Sequence, residues 1–153
     1  MAGSIGGVRE AATTVLILDT DHLAALEGRS QARDRLARRL EDSGEEIAAT
    51  VISAEEELRG WLAQIHREVD PHEQINAYER LRRRLEFFAG WTVLPWDSRA
   101  ADQFVHFRRQ RIRCGSMDLK IASITIIHGA TLLTRNTIDF SRVPGLSFEN
   151  WLD

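Results

Sequence analysis

The sequence has few of the residues that several common classes of protein need. Its single cysteine, Cys114, excludes an intramolecular disulfide, a paired-cysteine redox site and a cysteine-rich zinc site. No apolar run approaches roughly 18 residues, the length that predicts a membrane span. The N-terminus lacks the basic and apolar segments of a signal peptide. We therefore expect a cytoplasmic protein without a membrane segment, whose 153 residues are enough to build one core.

Lysine is also scarce, since Lys120 is the only one, and the formal net charge is −3. This balance disfavours a general nucleic-acid coating protein. Nine arginines nevertheless lie within residues 78–113, against four acids in the same range. Arginine forks suit phosphate recognition, but solvated helix faces with acid pairs are the more common explanation of such a cluster. The chain contains no HExxH helix, no GxxxxGK[ST] loop and no GxSxG elbow, so those zinc enzymes, nucleotidases and serine hydrolases find no support.

Short apolar runs alternate with amphipathic segments along the chain. We interpret as strands residues 15–18, 47–52, 91–94 and 131–134, with a short edge strand over residues 146–148. Runs that are apolar on both faces are typical of a parallel sheet covered by helices. The pattern predicts one three-layer α/β/α domain over residues 15–153 with a mostly parallel sheet of about five strands. A Gly/Ser/Ala-rich extension over residues 1–14 precedes it.

The helices between the strands have recognisable start signals. We expect one helix to begin at His22, capped by Asp21 or Thr20, and another to be capped by Ser53 with Glu56 as its capping-box acid. Asp97 or Ser98, and then Ser116, are the expected caps of two later helices. The apolar stripe over residues 75–88 predicts core packing, with a homodimer or partner-helix surface as the alternative.

Acidic or amide side chains follow the predicted strands or open the helices after them. They are Asp19, Asp21, Glu56, Asp118, Asn136 and Asp139. The carboxyl ends of parallel strands meet at one edge of a sheet, so these groups are expected to converge. Converging carboxylates repel each other unless a cation neutralises them, and oxygen-only donors suit Mg²⁺ or Mn²⁺. Each acid alone also has a structural explanation, as a cap, a turn residue or a partner of a helix dipole.

Four segments together resemble the PIN-domain nucleases, and most closely the VapC-type toxins of bacterial toxin–antitoxin pairs. They are LDTDHL (18–23), TVISAEEELRGW (50–61), GSMDLKIAS (115–123) and TLLTRNTIDFSRVPGLSFENW (131–151). The resemblance implies a metal-dependent endoribonuclease that hydrolyses RNA with one or two Mg²⁺ or Mn²⁺ ions. It also implies a homodimer and a cognate antitoxin protein as partner.

The resemblance also assigns candidate site residues. Asp19, Glu56 and Asp118 are the expected catalytic acids and metal ligands. Asn136 falls at a fourth position where many members carry aspartate, and Asp139 is a further candidate ligand.

Two positions carry alternatives. Glu55, Glu56 and Glu57 run together, so the second acid is Glu56 by its spacing, with Glu57 or Glu55 as alternatives. Asp21 stands where asparagine is common, which places an extra carboxylate near the metal.

Further residues beside the acids have accessory roles in this interpretation. Thr20 and Thr134 are expected to orient the attacking water or a ligating carboxylate by hydrogen bonding. Arg113 and Arg135 are candidates for RNA phosphate contacts. Arg135 alternatively pairs with Asp139 as a structural ion pair.

Two other functions compete with the nuclease. One is a PIN-fold RNA-binding or interaction module with little cleavage, which the asparagine at position 136 keeps open. The other is a phosphatase of the haloacid-dehalogenase type, with Asp19 as nucleophile, Asp21 as acid/base and Lys120 at the phosphate. Residues 22 and 23, a histidine and a leucine, do not fit the motif of that phosphatase family.

Overall fold

The computed structural model describes residues 14–153, so the predicted extension over residues 1–14 lies outside it except for its last residue. The strands are β1 (Val15–Leu18), β2 (Glu46–Thr50), β3 (Val93–Leu94), β4 (Thr131–Leu133) and β5 (Ser147–Glu149). The helices are α1 (Thr20–Glu27), α2 (Gln31–Ser43), α3 (Val51–Arg67), α4 (Gln74–Ala89), α5 (Ser98–Arg109), α6 (Ser116–Ile127) and α7 (Thr137–Phe140). None of these helices is long and apolar enough to cross a membrane.

The five strands form one sheet in the order β3-β2-β1-β4-β5, and every neighbouring pair is parallel. The central strand β1 pairs with β2 on one side and with β4 on the other; Ile17 lies opposite Ala48 and Leu132. The strand order therefore reverses between β1 and β4. In open parallel sheets, ligands bind in the crevice beyond the carboxyl ends of the two strands at such a reversal.

Alternate residues of β1 face two separate cores. Ile17 belongs to a core with Phe107 of α5 and with the buried isoleucines of α6. Leu16 and Leu18 belong to a second core with residues of α1 and α2, such as Leu23. Helices thus cover both faces of the sheet, which confirms the predicted three-layer α/β/α fold and explains why the β1 run is wholly apolar.

Two helices begin earlier than predicted because a residue at the end of the preceding strand, or directly after it, provides the cap. Helix α1 begins at Thr20, and the Asp19 carboxylate accepts a hydrogen bond from the Thr20 N–H at 2.8 Å. Helix α3 begins at Val51, because the Thr50 hydroxyl accepts from the Ser53 N–H at 3.1 Å. The predicted start at His22 and the predicted cap at Ser53 were therefore wrong.

Three smaller predictions also differ from the structure. Helix α6 begins at Ser116 itself, after Gly115 as the cap position. The single-turn helix α7 occupies residues that the sequence indicated only as a turn. On α4 the side chains of Ile75, Tyr78 and Leu85 are each more than half exposed, so the predicted core packing of that stripe was wrong for them. Phe88, the last residue of the stripe, does pack against the second core as predicted, and so does its neighbour Phe87.

Candidate active site

The crevice between β1 and β4 holds a buried carboxylate that is fixed on both oxygens. Asp19 follows β1, and its Oδ1 accepts from the Thr20 N–H at 2.8 Å. Thr134 follows β4 with no exposed surface, and its hydroxyl donates to Asp19 Oδ2 at 2.9 Å. The Asp19 N–H donates to the Leu133 carbonyl at 2.9 Å, which ties the ends of the two strands together. The first predicted acid is thus held rigidly at the crevice.

Two further elements bring carboxylates to this edge of the sheet. Glu56 lies on α3, where its Oε2 accepts from the Thr20 hydroxyl at 3.5 Å. Asp118 lies in the first turn of α6, and its Oδ2 accepts from the Asn136 amide at 3.1 Å. The same amide nitrogen donates to Asp139 Oδ2 at 3.0 Å. The side chain of Asn136 therefore bridges two carboxylates through its hydrogens.

The pKa values show that the three predicted acids repel one another. Burial raises the pKa of Asp19 above its usual range. Burial also raises the pKa of Asp118, and the negative charges of Asp19 and Asp139 raise it further. The pKa of Glu56 is raised by burial and then by the charges of Asp19 and Asp118. Charged carboxylates in this arrangement are unfavourable without a neutralising cation.

The donor set fits a hard divalent cation. It consists of carboxylate and amide oxygens, the ligands that Mg²⁺ and Mn²⁺ prefer, and among the described residues no histidine or cysteine side chain hydrogen bonds to the three acids. Within residues 14–153, no three acidic, histidine or cysteine side chains already stand at the spacing of a complete metal shell. The two amide hydrogens of Asn136 partly offset the carboxylates of Asp118 and Asp139 in this arrangement.

The structure separates the three consecutive glutamates of α3. Glu55 forms an ion pair with Arg59 at 3.0 Å. Glu57 forms an ion pair with the buried side chain of Arg84. Among the three, Glu56 is the one that hydrogen bonds to Thr20, and its pKa is the one that the charges of Asp19 and Asp118 raise.

Asp21 lies beside Asp19, whose pKa its charge raises, and it also holds neighbouring segments in place. Its Oδ1 accepts from the backbone N–H of His22 at 2.8 Å and lies 2.9 Å from the ring Nδ1, while its Oδ2 accepts from the Arg135 N–H at 3.1 Å. Burial alone acts to raise the pKa of Asp21, but the hydrogen bonds from His22 and Arg135 hold it below its usual range. Asp21 therefore joins the start of α1 to the loop after β4.

His22, which sequence reasoning did not assign to the site, completes this connection. Its ring has no exposed surface, and Nε2 accepts from the Trp151 N–H at 3.2 Å. These partners assign the neutral ring with its proton on Nδ1, directed at Asp21. The sequence signal was the position of His22 beside Asp21, but its second partner lies 129 residues away.

The two predicted phosphate-binding arginines are exposed beside the crevice. The Arg135 guanidinium pairs with Asp153 at 3.2 Å and not with Asp139. Asp139 pairs instead with Arg142 at 3.3 Å, and the Arg142 guanidinium also donates to the Arg113 carbonyl at 3.1 Å. Arg142 was missed because its spacing from Asp139 gave no sign of the contact with the loop that carries Arg113.

Comparison with known proteins identifies the family. The PIN domain model matches residues 16–146. Two curated relatives are Ribonuclease VapC2 and Ribonuclease VapC1 of Rickettsia felis, which are 51% identical over 37 residues and 50% identical over 38 residues. These alignments cover 24% and 25% of this chain and 28% of each relative, so the chain matches little more than a quarter of their length.

Solved structures extend the similarity over the whole fold. VapBC2 from Rickettsia felis bound to a promoter DNA fragment is similar with a TM-score of 0.66 and 22% identity, over 90% of this chain and 99% of that one. VapBC-1 from nontypeable Haemophilus influenzae has a TM-score of 0.68 and 18% identity, over 92% and 100%. FitAcB from Neisseria gonorrhoeae has a TM-score of 0.62 and 24% identity, over 89% and 97%. With the family model spanning both cores and the acidic crevice, the chain belongs to the PIN domain family.

Proposed function

We propose that this protein is a metal-dependent endoribonuclease that hydrolyses RNA phosphodiester bonds. The observation that carries the proposal is the set of three carboxylates from three separate elements, Asp19, Glu56 and Asp118, at the crevice of a PIN domain; the charge of Asp19 raises the pKa of both Glu56 and Asp118. The ribonuclease names of the partial relatives agree with it. Negative side chains held this close together destabilise the fold. Such an arrangement is typical of a functional site that binds a cation, which in turn attracts an anionic substrate.

Asp19, Glu56 and Asp118 would hold one or two Mg²⁺ or Mn²⁺ ions, with Asn136 and Asp139 as further ligands. When bound, the metal eases deprotonation of an attacking water and offsets negative charge on the phosphoryl group. The task of the protein is to keep the ligands in place, because a displaced ligand misaligns the attack.

The threonines of the site carry part of this task. Thr134 fixes one Asp19 oxygen, and Thr20 orients Glu56. Asp21 holds the loop of Asn136 through the neighbouring N–H of residue 135. Arg113 and Arg135, exposed beside the crevice, are proposed to contact RNA phosphates.

The similarity to VapBC complexes extends the proposal to partners. We propose that the protein acts in the cytoplasm as the toxin of a toxin–antitoxin pair, as a homodimer restrained by a cognate antitoxin. The phosphatase alternative loses its support, because both oxygens of Asp21 already accept hydrogen bonds from His22 and Arg135. The interaction-module alternative rests on Asn136 and is decided by the cleavage experiment.

The test is cleavage of a labelled small-RNA pool by the purified protein in Mg²⁺, in Mn²⁺ and in excess EDTA. Asp118→Asn keeps the shape of the side chain but removes its charge, and Asp102→Asn is the control because Asp102 is an exposed acid on α5. We expect discrete products that disappear with EDTA and with Asp118→Asn and persist with Asp102→Asn. Equal products from both variants, or none from folded wild-type protein, would contradict the proposal.

A further inference from the structure

A second cavity of about 450 Å³ opens beside the three acids, between α1, α3 and α4. Thr20 and Glu56 line it on the side of the acids, and Gly60 and Trp61 of α3 line it further along. Arg84 and Glu57 also line it. Since the cavity shares Thr20 and Glu56 with the candidate active site, a polymer bound at the acids can place a neighbouring group in the cavity.

Arg84 gives the cavity an unusual polar surface. The residue is only 6% exposed, and its guanidinium forms ion pairs with Glu27 and Glu57 and packs 4.4 Å from the centre of the Phe87 ring. Arg84 therefore holds the Glu27 and Glu57 carboxylates at the cavity, while its own Nε is buried away from it.

Gly60 keeps one wall of the cavity open. It lies inside α3, where glycine is a poorer helix former than alanine. A Cβ atom at this position would meet nothing within 4 Å, so close packing within the protein does not require glycine there. The missing side chain leaves a smooth wall next to the Trp61 indole.

We propose that this cavity receives one nucleobase of the RNA, next to the phosphate held at the acids. The inference rests on the proposed ribonuclease function and names part of its substrate recognition. A planar ring suits the space beside the Trp61 indole and the bare backbone of Gly60, and stacking on aromatic side chains is a general mode of single-stranded recognition. The two carboxylates around Arg84 leave the floor net negative, which disfavours a phosphate and favours a neutral ring edge.

The floor of the cavity also determines which bases fit. Glu27 and Glu57 line the cavity and can accept hydrogen bonds through their carboxylate oxygens. Cytosine, adenine and guanine each present an amino group with two N–H donors. Uracil instead presents one N–H between two carbonyl oxygens, and carboxylates repel those oxygens. The cavity therefore selects an amino-bearing base over uracil. Cytidine and uridine are a matched pair for this test, since they differ only in the amino or carbonyl group at C4 and in the proton on the neighbouring N3.

The first experiment reads binding without cleavage. Cytidine and uridine are titrated into the metal-free full-length protein in EDTA, and binding is followed by the NMR shift of the Trp61 indole N–H. Gly60→Leu fills the cavity, and Ala63→Leu adds the same side chain at an exposed position of the same helix. We expect wild type and Ala63→Leu to bind cytidine about tenfold more tightly than uridine. One good base-edge contact provides a discrimination of this size. Gly60→Leu should lose cytidine binding.

The second experiment uses an RNA that the protein cleaves. Gly60→Leu should raise KM about tenfold with little change in kcat, and Ala63→Leu should leave both unchanged. If wild type cleaves no RNA, the proposed function fails while the nucleoside titration still decides the cavity. Equal cytidine and uridine binding, or cytidine binding that survives Gly60→Leu, would overturn the inference. Binding of arginine amide in place of either nucleoside would also overturn it, and would assign the cavity to a cationic side chain of a protein partner.

Discussion

Replacing Thr134 by valine tests how the fold holds its central carboxylate. The Thr134 side chain is fully buried, donates to Asp19 Oδ2 at 2.9 Å and accepts from the Asn136 N–H at 3.0 Å. Valine fills the same space but makes neither bond. A hydrogen bond to a charged group contributes about 1.5–3 kcal/mol, and an unpaired N–H costs about 1 kcal/mol more. We therefore expect the free energy of unfolding to fall by about 3 kcal/mol, which lowers the Tm by roughly 10 °C.

The same substitution should weaken metal binding, because Thr134 orients a proposed ligand without touching the ion. Groups in this position typically change metal affinity about 10–100-fold when removed. The stabilisation that Mn²⁺ gives at a fixed concentration should then shrink by about 1.4–2.7 kcal/mol. Thr134→Ser, which keeps the hydroxyl, should restore most of both effects.

Urea unfolding followed by circular dichroism, with and without Mn²⁺, measures both quantities. Thr125→Val is the matched control, since Thr125 is equally buried but its hydroxyl donates only to the Ile121 carbonyl within α6, at 2.8 Å. It should lose about 1 kcal/mol and keep the full Mn²⁺ effect. Equal losses in the two valine variants, with equal Mn²⁺ stabilisation, would refute the argument.

Three further predictions follow from the same site. The pKa values of Asp19, Glu56 and Asp118 are raised in the folded protein, so protonation of these carboxyls stabilises the fold. This stability is present below the ordinary carboxyl pKa range and is lost as pH rises through the raised pKa values. The urea midpoint of the metal-free protein should therefore increase as pH falls from 7 towards about 5. Asp118→Asn should flatten this rise, and an unchanged profile would contradict the repulsion. Glu56→Gln should abolish metal-dependent RNA cleavage even at saturating RNA, whereas Glu57→Gln should still cleave under that condition, because its proposed base contact affects KM. The reverse result in a gel assay would reassign the second acid. His22→Leu removes two hydrogen bonds and should lower the free energy of unfolding by about 2 kcal/mol. Hydrogen exchange at the Trp151 N–H should also become faster. Unchanged exchange at this N–H would show that His22 does not hold the C-terminal segment.

The parts of the fold that could be predicted are those that follow from the residue pattern within a single strand. The run Val15–Leu18 is apolar on both faces, and this alone indicates a central strand between two helical layers. Once the strands are parallel, their carboxyl ends share an edge, so the meeting of Asp19 with residues that follow β4 could be expected. The strand order and the covered faces agree with this reasoning.

The parts that could not be predicted depend on partners distant in sequence. Spacing favours Glu56 as the second acid, but the sequence does not show the separate contacts of Glu56 with Thr20 and of Glu57 with Arg84. The sequence also does not show that Asp21 accepts a hydrogen bond from the Arg135 N–H, which lies in a loop 114 residues later. The exposed stripe that includes Tyr78 has core-like periodicity, and periodicity does not reveal which side of α4 faces the sheet.

The most direct test of the account is a crystal structure of the protein grown with Mn²⁺, with data collected at the manganese absorption edge. The account predicts an anomalous peak within ligand distance of Asp19, Glu56 and Asp118, which disappears in crystals of Asp118→Asn. A peak bound elsewhere, or no peak with well-ordered carboxylates at millimolar Mn²⁺, would contradict the claim that these acids form a metal site.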